Sequence, residues 1–123
     1  MKLIVCLLIL IFSTLPSFAA PEKDYQKLWC SVNNGRTEVV LPDKTRVDCV
    51  TETHAIEFDF AKKWGEAIGQ SLYYASALKK TPGIVLILEN PEKDTKYLKR
   101  LQTVAEKYGI SVWTITSNFL AES

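Results

Sequence analysis

The chain has 123 residues, 47% of them apolar and 24% charged, with 15 Lys+Arg against 14 Asp+Glu. That length accommodates one compact domain, and the mix of apolar and charged residues excludes a disordered or collagen-like chain. A formal charge of +1 excludes a global positive field of the kind that gathers nucleic acid, so any hold on a polyanion must be local.

Residues 1–19 read as an export signal. They begin Met1-Lys2, run apolar from Leu3 to Phe12 and end on Ser17-Phe18-Ala19, which places the cut before Ala20. The apolar core falls short of the ~20 residues that a spanning helix needs. The expectation is therefore an exported protein, periplasmic or secreted, with no membrane partner once the signal is cleaved. From Ala20 onward the chain carries 14 cations and 14 anions. Export also gives Cys30 and Cys49 an oxidising compartment, in which a disulfide or a thiol buried in a strand are both open readings.

The mature chain alternates between helical and strand periods. Residues 22–33 set Tyr25, Leu28, Trp29 and Val32 at helical spacing, and Asn33-Asn34-Gly35 ends that helix. Residues 37–41 and 45–51 are β-rich arms around the turn Pro42-Asp43-Lys44. Residues 55–60 alternate strictly, with Ile56, Phe58 and Phe60 on one side and Glu57 and Asp59 on the other. Over residues 61–80 the stripe Trp64, Ile68, Leu72, Ala75 and Leu78 predicts a helix, with Gly65 and Gly69 expected to allow close approach of a neighbour. Pro82-Gly83 is expected to break the chain before the apolar run 84–88, a strand buried on both faces. Pro91 opens a helix over 92–107, and 110–115 is a final strand. The order α-β-β-β-α-β-α-β predicts an α/β fold, a mixed sheet with helices on its faces, in one domain over 20–123.

Three carboxylates are the chemical signal. Asp48 sits in an otherwise apolar strand, and Glu57 and Asp59 share a face of the next one. Neighbouring strands lie ~4.8 Å apart, so these acids can converge, and converged carboxylates repel and are costly to bury. A hard divalent cation, Mg²⁺ or Mn²⁺, is the usual compensation; a solvated acidic strand face is the plainer alternative. On the following helix Lys63, Ala67, Gln70 and Tyr74 share a flank beside the apolar stripe, which suits a phosphate-bearing ligand. His54 reads as a turn or surface histidine, the tryptophans as core, and the mixed run 93–107 as a solvated helix face.

The series Asp48…Glu57-Phe58-Asp59, followed by Gln70-Ser71-Leu72-Tyr73-Tyr74, resembles the PD-(D/E)xK nuclease superfamily. The latter stretch is similar to the QxxxY motif of RecB-type domains. Gly35-Arg36-Thr37-Glu38 resembles the glutamate region of Holliday-junction-resolvase-like members. Over residues 22–90 the resemblance implies a restriction-endonuclease-like αβββαβ core, here with a C-terminal αβ unit. It implies metal-dependent hydrolysis of nucleic-acid phosphodiesters, DNA foremost. Asp48 and Glu57 would be catalytic and hold metal, with Glu38 or Asp59 in support, and Gln70 and Tyr74 would contact substrate. One departure is plain: Asp59 stands where the superfamily has a lysine that steadies charge on the phosphate. Members of the superfamily relocate that lysine, and helical phase favours Lys63 over Lys62 as the catalytic replacement. Without a replacement the resemblance implies an inactive nuclease-fold protein that binds nucleic acid or a protein in the envelope. Homodimerisation stays open, since many nucleases of this kind cut two strands as pairs.

Overall fold

A computed structural model describes residues 20–123; the export signal assigned to residues 1–19 lies outside the described residues. The elements are α1 (Glu22–Val32), β1 (Arg36–Val40), β2 (Arg46–Val50), β3 (His54–Phe60), a 3₁₀ turn (Ala61–Lys63), α2 (Trp64–Leu78), β4 (Thr81–Leu88), α3 (Pro91–Tyr108), β5 (Ser111–Thr116) and α4 (Asn118–Ala121). They build a mixed α/β fold on a five-stranded sheet ordered β1-β2-β3-β4-β5. The first three strands are antiparallel, and β3, β4 and β5 run parallel. Each element expected from the sequence is present, with no end displaced by more than three residues; α4 was unsignalled.

Helices cover both faces. On one, Tyr25, Trp29 and Cys30 of α1 pack on Ile56, Phe58, Val85, Ile87 and Ile115, with Phe119 and Leu120 of α4 beside them. On the other, Ala67 of α2 and Leu101 and Ala105 of α3 pack on Ile84, Leu86 and Leu88. Alternate residues of β4 thus enter opposite cores, which is why its sequence is apolar without a break.

Two features of β4 and α2 correct the sequence reading. Pro82-Gly83 does not break the chain; it lies inside β4. At Pro82 the strand has β3 on one side, while β5 joins only at Gly83↔Ser111, so the proline sits where the sheet still has an edge. Gly65 and Gly69 face open space, with no neighbour within 4 Å of an added Cβ. Close approach belongs instead to Gly83, where a Cβ would lie 2.8 Å from the Trp113 ring, and to Gly35, where it would lie 2.6 Å from both Cys30 and Cys49 sulfurs. Those cysteines are joined in a disulfide with a Cα–Cα distance of 5.9 Å. The bond ties α1 to β2.

His54 opens β3 half-buried rather than exposed. Its Nδ1 pairs with Thr53 Oγ1 at 2.6 Å, its Nε2 with Ser111 Oγ at 2.9 Å, and its ring meets Trp113 edge-on. It staples β3 to β5 across the space that Gly83 leaves open, and burial holds its pKa below the usual value.

Candidate functional site

The site begins as a gap in the backbone ladder. Between β1 and β2 the pairs Thr37↔Cys49 and Val39↔Val47 flank Glu38 and Asp48, which are not themselves paired. Glu38 has a left-handed backbone, φ 53°. Pairing of β2 with β3 covers Val50↔Ala55 and Cys49↔Ile56 and stops short of Asp48 and Glu57. Continuing both registers puts Glu38, Asp48 and Glu57 in one row across three strands.

Side chains replace the missing ladder bonds. The Phe58 N–H donates to Asp48 Oδ2 at 2.8 Å, and the Asp48 N–H donates to Glu57 Oε1 at 3.2 Å. From α1, Gln26 Nε2 donates to the Asp48 carbonyl at 2.9 Å and to Glu38 Oε1 at 3.1 Å. Gln26 is only 2% exposed, so its amide is committed to this task. Glu22, Gln26 and Cys30 stand four residues apart and share one stripe of α1. A single helix face therefore delivers a carboxylate, an amide and a disulfide to β2.

Beside this row opens a cleft of about 230 Å³. Glu22, Asp48, Glu57, Asp59 and Glu66 line it, and Arg46, Lys63 and Gln70 complete its walls. Glu57 and Asp59 are 4% and 5% exposed, so their charges are poorly hydrated. Burial, followed by the Asp48 charge, pushes Glu57 up to about 9. Asp48 is itself raised by burial, with the Phe58 N–H pulling the other way. At neutral pH the Asp48–Glu57 pair thus keeps a proton. Asp59 is raised to about 6, mainly by burial, with Lys63 opposing. Glu22 is raised to about 7 by burial and then by Asp48 and Asp59, Lys63 again opposing. Lys63 is the cation that Glu22 and Asp59 feel in common.

The sequence-assigned residues divide accordingly. Asp48, Glu57, Asp59, Lys63 and Gln70 meet in the cleft. Glu38 lies in the row but is turned to Gln26 rather than into the cleft walls. Lys62 faces away, into a separate hollow against α3. Tyr74 is placed in the core at 7% exposure, among Val47, Val50 and Ala55, and not in the cleft. Burial, then the nearby Glu57 charge, raises its pKa. Sequence reasoning missed Glu22, Gln26, Arg46 and Glu66. The polar positions Glu22 and Gln26, preceding Cys30 at the same spacing, were the available signal for two of them.

Among the described residues no group of three or more His, Cys, Asp or Glu side chains is drawn together as a ready-made metal cage. Nor does any helix among the described residues have the length and apolarity to cross a membrane. Comparison of the chain with protein-family models, curated proteins and solved structures returns no match.

Proposed function

We propose that the chain is an exported, metal-dependent nuclease of the PD-(D/E)xK kind, hydrolysing nucleic-acid phosphodiester bonds, DNA foremost. The observation that carries this reading is the cleft itself, in which Asp48, Glu57 and Asp59 face Lys63 and Gln70. Asp48, Glu57 and Asp59 would hold Mg²⁺ or Mn²⁺, with Glu22 on the facing wall. The fit is one of donor chemistry alone: all are hard carboxylate oxygens, and a bound cation would displace the proton that Glu57 otherwise keeps at neutral pH. The cation would supply charge neutralisation at the phosphate and an acidified water. Lys63, in place of the lysine absent at position 59, steadies the charge that grows on the phosphate oxygens as the bond to the leaving oxygen breaks. Gln70 donates its amide to a backbone phosphate beside that point. Tyr74 serves by packing β2 and β3 against α2.

Purified protein, incubated with plasmid and single-stranded DNA in Mg²⁺, Mn²⁺ or EDTA, tests this directly. Metal-dependent cleavage is expected, with loss of at least ~100-fold in Asp48→Ala and in Lys63→Ala. Cleavage that persists in Asp48→Ala or Glu57→Ala overturns the assignment. A second reading, a non-catalytic envelope module that binds nucleic acid or protein, is favoured by one observation: the carboxylates are held by backbone and proton rather than arrayed as a cage. Its signature is DNA binding without metal-dependent cleavage.

A further inference from the structure

The sequence from Ala20 is electrically neutral and its cleft is mostly acidic, so a polyanion must be held elsewhere. On α3, Lys93, Lys96, Arg100 and Lys107 recur at intervals of three, four and seven residues, which keeps them within one narrow stripe. All four are exposed. The stripe spans about 21 Å along the helix axis. Acids of α3 lie off it: Asp94 turns inward to accept from the Asn90 N–H at 3.1 Å, and Glu92 and Glu106 stand to one side. Tyr97 carries the Lys96 ammonium at 5.0 Å and the Arg100 guanidinium at 5.6 Å over its ring.

The stripe is joined to the acidic cleft by the 3₁₀ turn, which packs against α3. Its last two residues point to opposite sides. Lys63 lines the cleft, and Lys62 lines a hollow of about 630 Å³ that Lys93, Lys96 and Tyr97 also line. Glu89, Glu92 and Asp94 also line that hollow, three acids against its three lysines, so net attraction for a polyanion rests on the stripe as it runs on to Arg100 and Lys107.

We propose that Lys62 and the α3 stripe of Lys93, Lys96, Arg100 and Lys107 bind the sugar–phosphate backbone of a nucleic-acid strand and lead it across Lys63 into the cleft. A membrane surface is a poorer partner, because the apolar side of α3 is spent on the core through Leu101 and Ala105. A row of cations over about 21 Å instead suits successive phosphates of one strand. The placement of the strand rests on the nuclease reading; the binding surface does not.

The test is fluorescence anisotropy of a labelled single-stranded DNA in EDTA, titrated between 50 and 200 mM salt at roughly the range where counterion release is read. Five phosphate contacts predict a log–log salt slope of about −3.5 for a single strand. Lys96→Gln with Arg100→Gln, both exposed, is expected to weaken binding by at least ~10-fold at the lower salt and flatten the slope by about 1.4. Lys23→Gln with Lys27→Gln, on exposed positions of α1, is expected to leave both unchanged. The proposal is overturned if the wild-type chain does not bind DNA, or if the α3 variant binds as wild type. It is equally overturned if both double variants lose binding alike, or if phosphatidylserine vesicles are bound and DNA is not. Stripe-dependent binding by a chain that cuts nothing upholds this surface while removing the nuclease reading.

Discussion

Along β4 and β5 the ladder runs unbroken from Gly83↔Ser111 to Leu88↔Thr116, and the central strand is a run of Ile, Val and Leu closed on both faces. Along β1, β2 and β3 the ladder opens at one row, Glu38–Asp48–Glu57, and carboxylates and a glutamine take the backbone groups that the neighbours release. Both halves satisfy their polar atoms. The parallel half does it with backbone, the His54–Ser111 bond at its rim aside, and gains a core; the antiparallel half commits side chains and keeps an acidic cleft. The acidic cleft gathers where the sheet is least regular, because the opened ladder leaves the Phe58 and Asp48 N–H groups to bond the Asp48 and Glu57 carboxylates.

Core substitutions give the largest test of this contrast. Leu86→Ala in the parallel half is expected to cost about 2–5 kcal/mol, read as a shift of the denaturation midpoint with unchanged m-value. The antiparallel half relies on a covalent tie, so Cys30→Ser with Cys49→Ser is expected to cost about 3 kcal/mol. An equal Leu86→Ala cost and a negligible cysteine cost would show that α1 is held to β2 without the bond.

Gln26→Leu comes next, at about 1–3 kcal/mol, since it strips the Asp48 carbonyl and the Glu38 carboxylate of one buried donor. A cost as small as that of an exposed α1 substitution would break the account of the row as a substitute ladder.

Titration sharpens the same contrast. Glu57 is raised from 4.5 to about 9 in the folded chain, so the folded state binds more protons than the unfolded state between those values. Stability is therefore complete below about 4.5 and declines as pH rises toward about 9. Glu22, raised to about 7, and Asp59, raised to about 6, add to the decline in the lower part of that window. Glu57→Gln keeps an oxygen for the Asp48 N–H and removes the ionisation. Its melting temperature at pH 8 is expected to exceed that of wild type by roughly 4–8 °C, about 1 kcal/mol, with the two converging near pH 5. A wild-type chain whose melting temperature is flat from pH 5 to 9 would remove the buried proton.

Much of the architecture was legible in the residues. The unbroken 84–88 run announced a strand closed on both faces, and the alternation at Ile56, Phe58 and Phe60 placed Glu57 and Asp59 on one side. What stayed hidden depends on the third dimension. Tyr74 shares a helical flank with Lys63 and Gln70, yet it packs with Val47, Val50 and Ala55 in the core. Glu22 and Gln26 read as ordinary helix polar residues, because nothing local says that α1 will lie across an open row of β2. Pro82 misled for the same reason: a proline is harmless where a strand has not yet gained its second neighbour.

The smallest expected effect separates the glycines by their surroundings. Gly65 and Gly69 lie inside α2 with open space where a side chain would go, so they add backbone freedom to the unfolded chain and nothing to packing. Alanine there is expected to stabilise by about 0.5–1 kcal/mol each. Gly35→Ala, by contrast, drives a methyl into the disulfide sulfurs and must destabilise. Thermal melts of the three variants decide the point: destabilisation at Gly69, whose neighbour in the chain is Gln70 of the cleft wall, would mean that α2 approaches another surface more closely than its open flank implies.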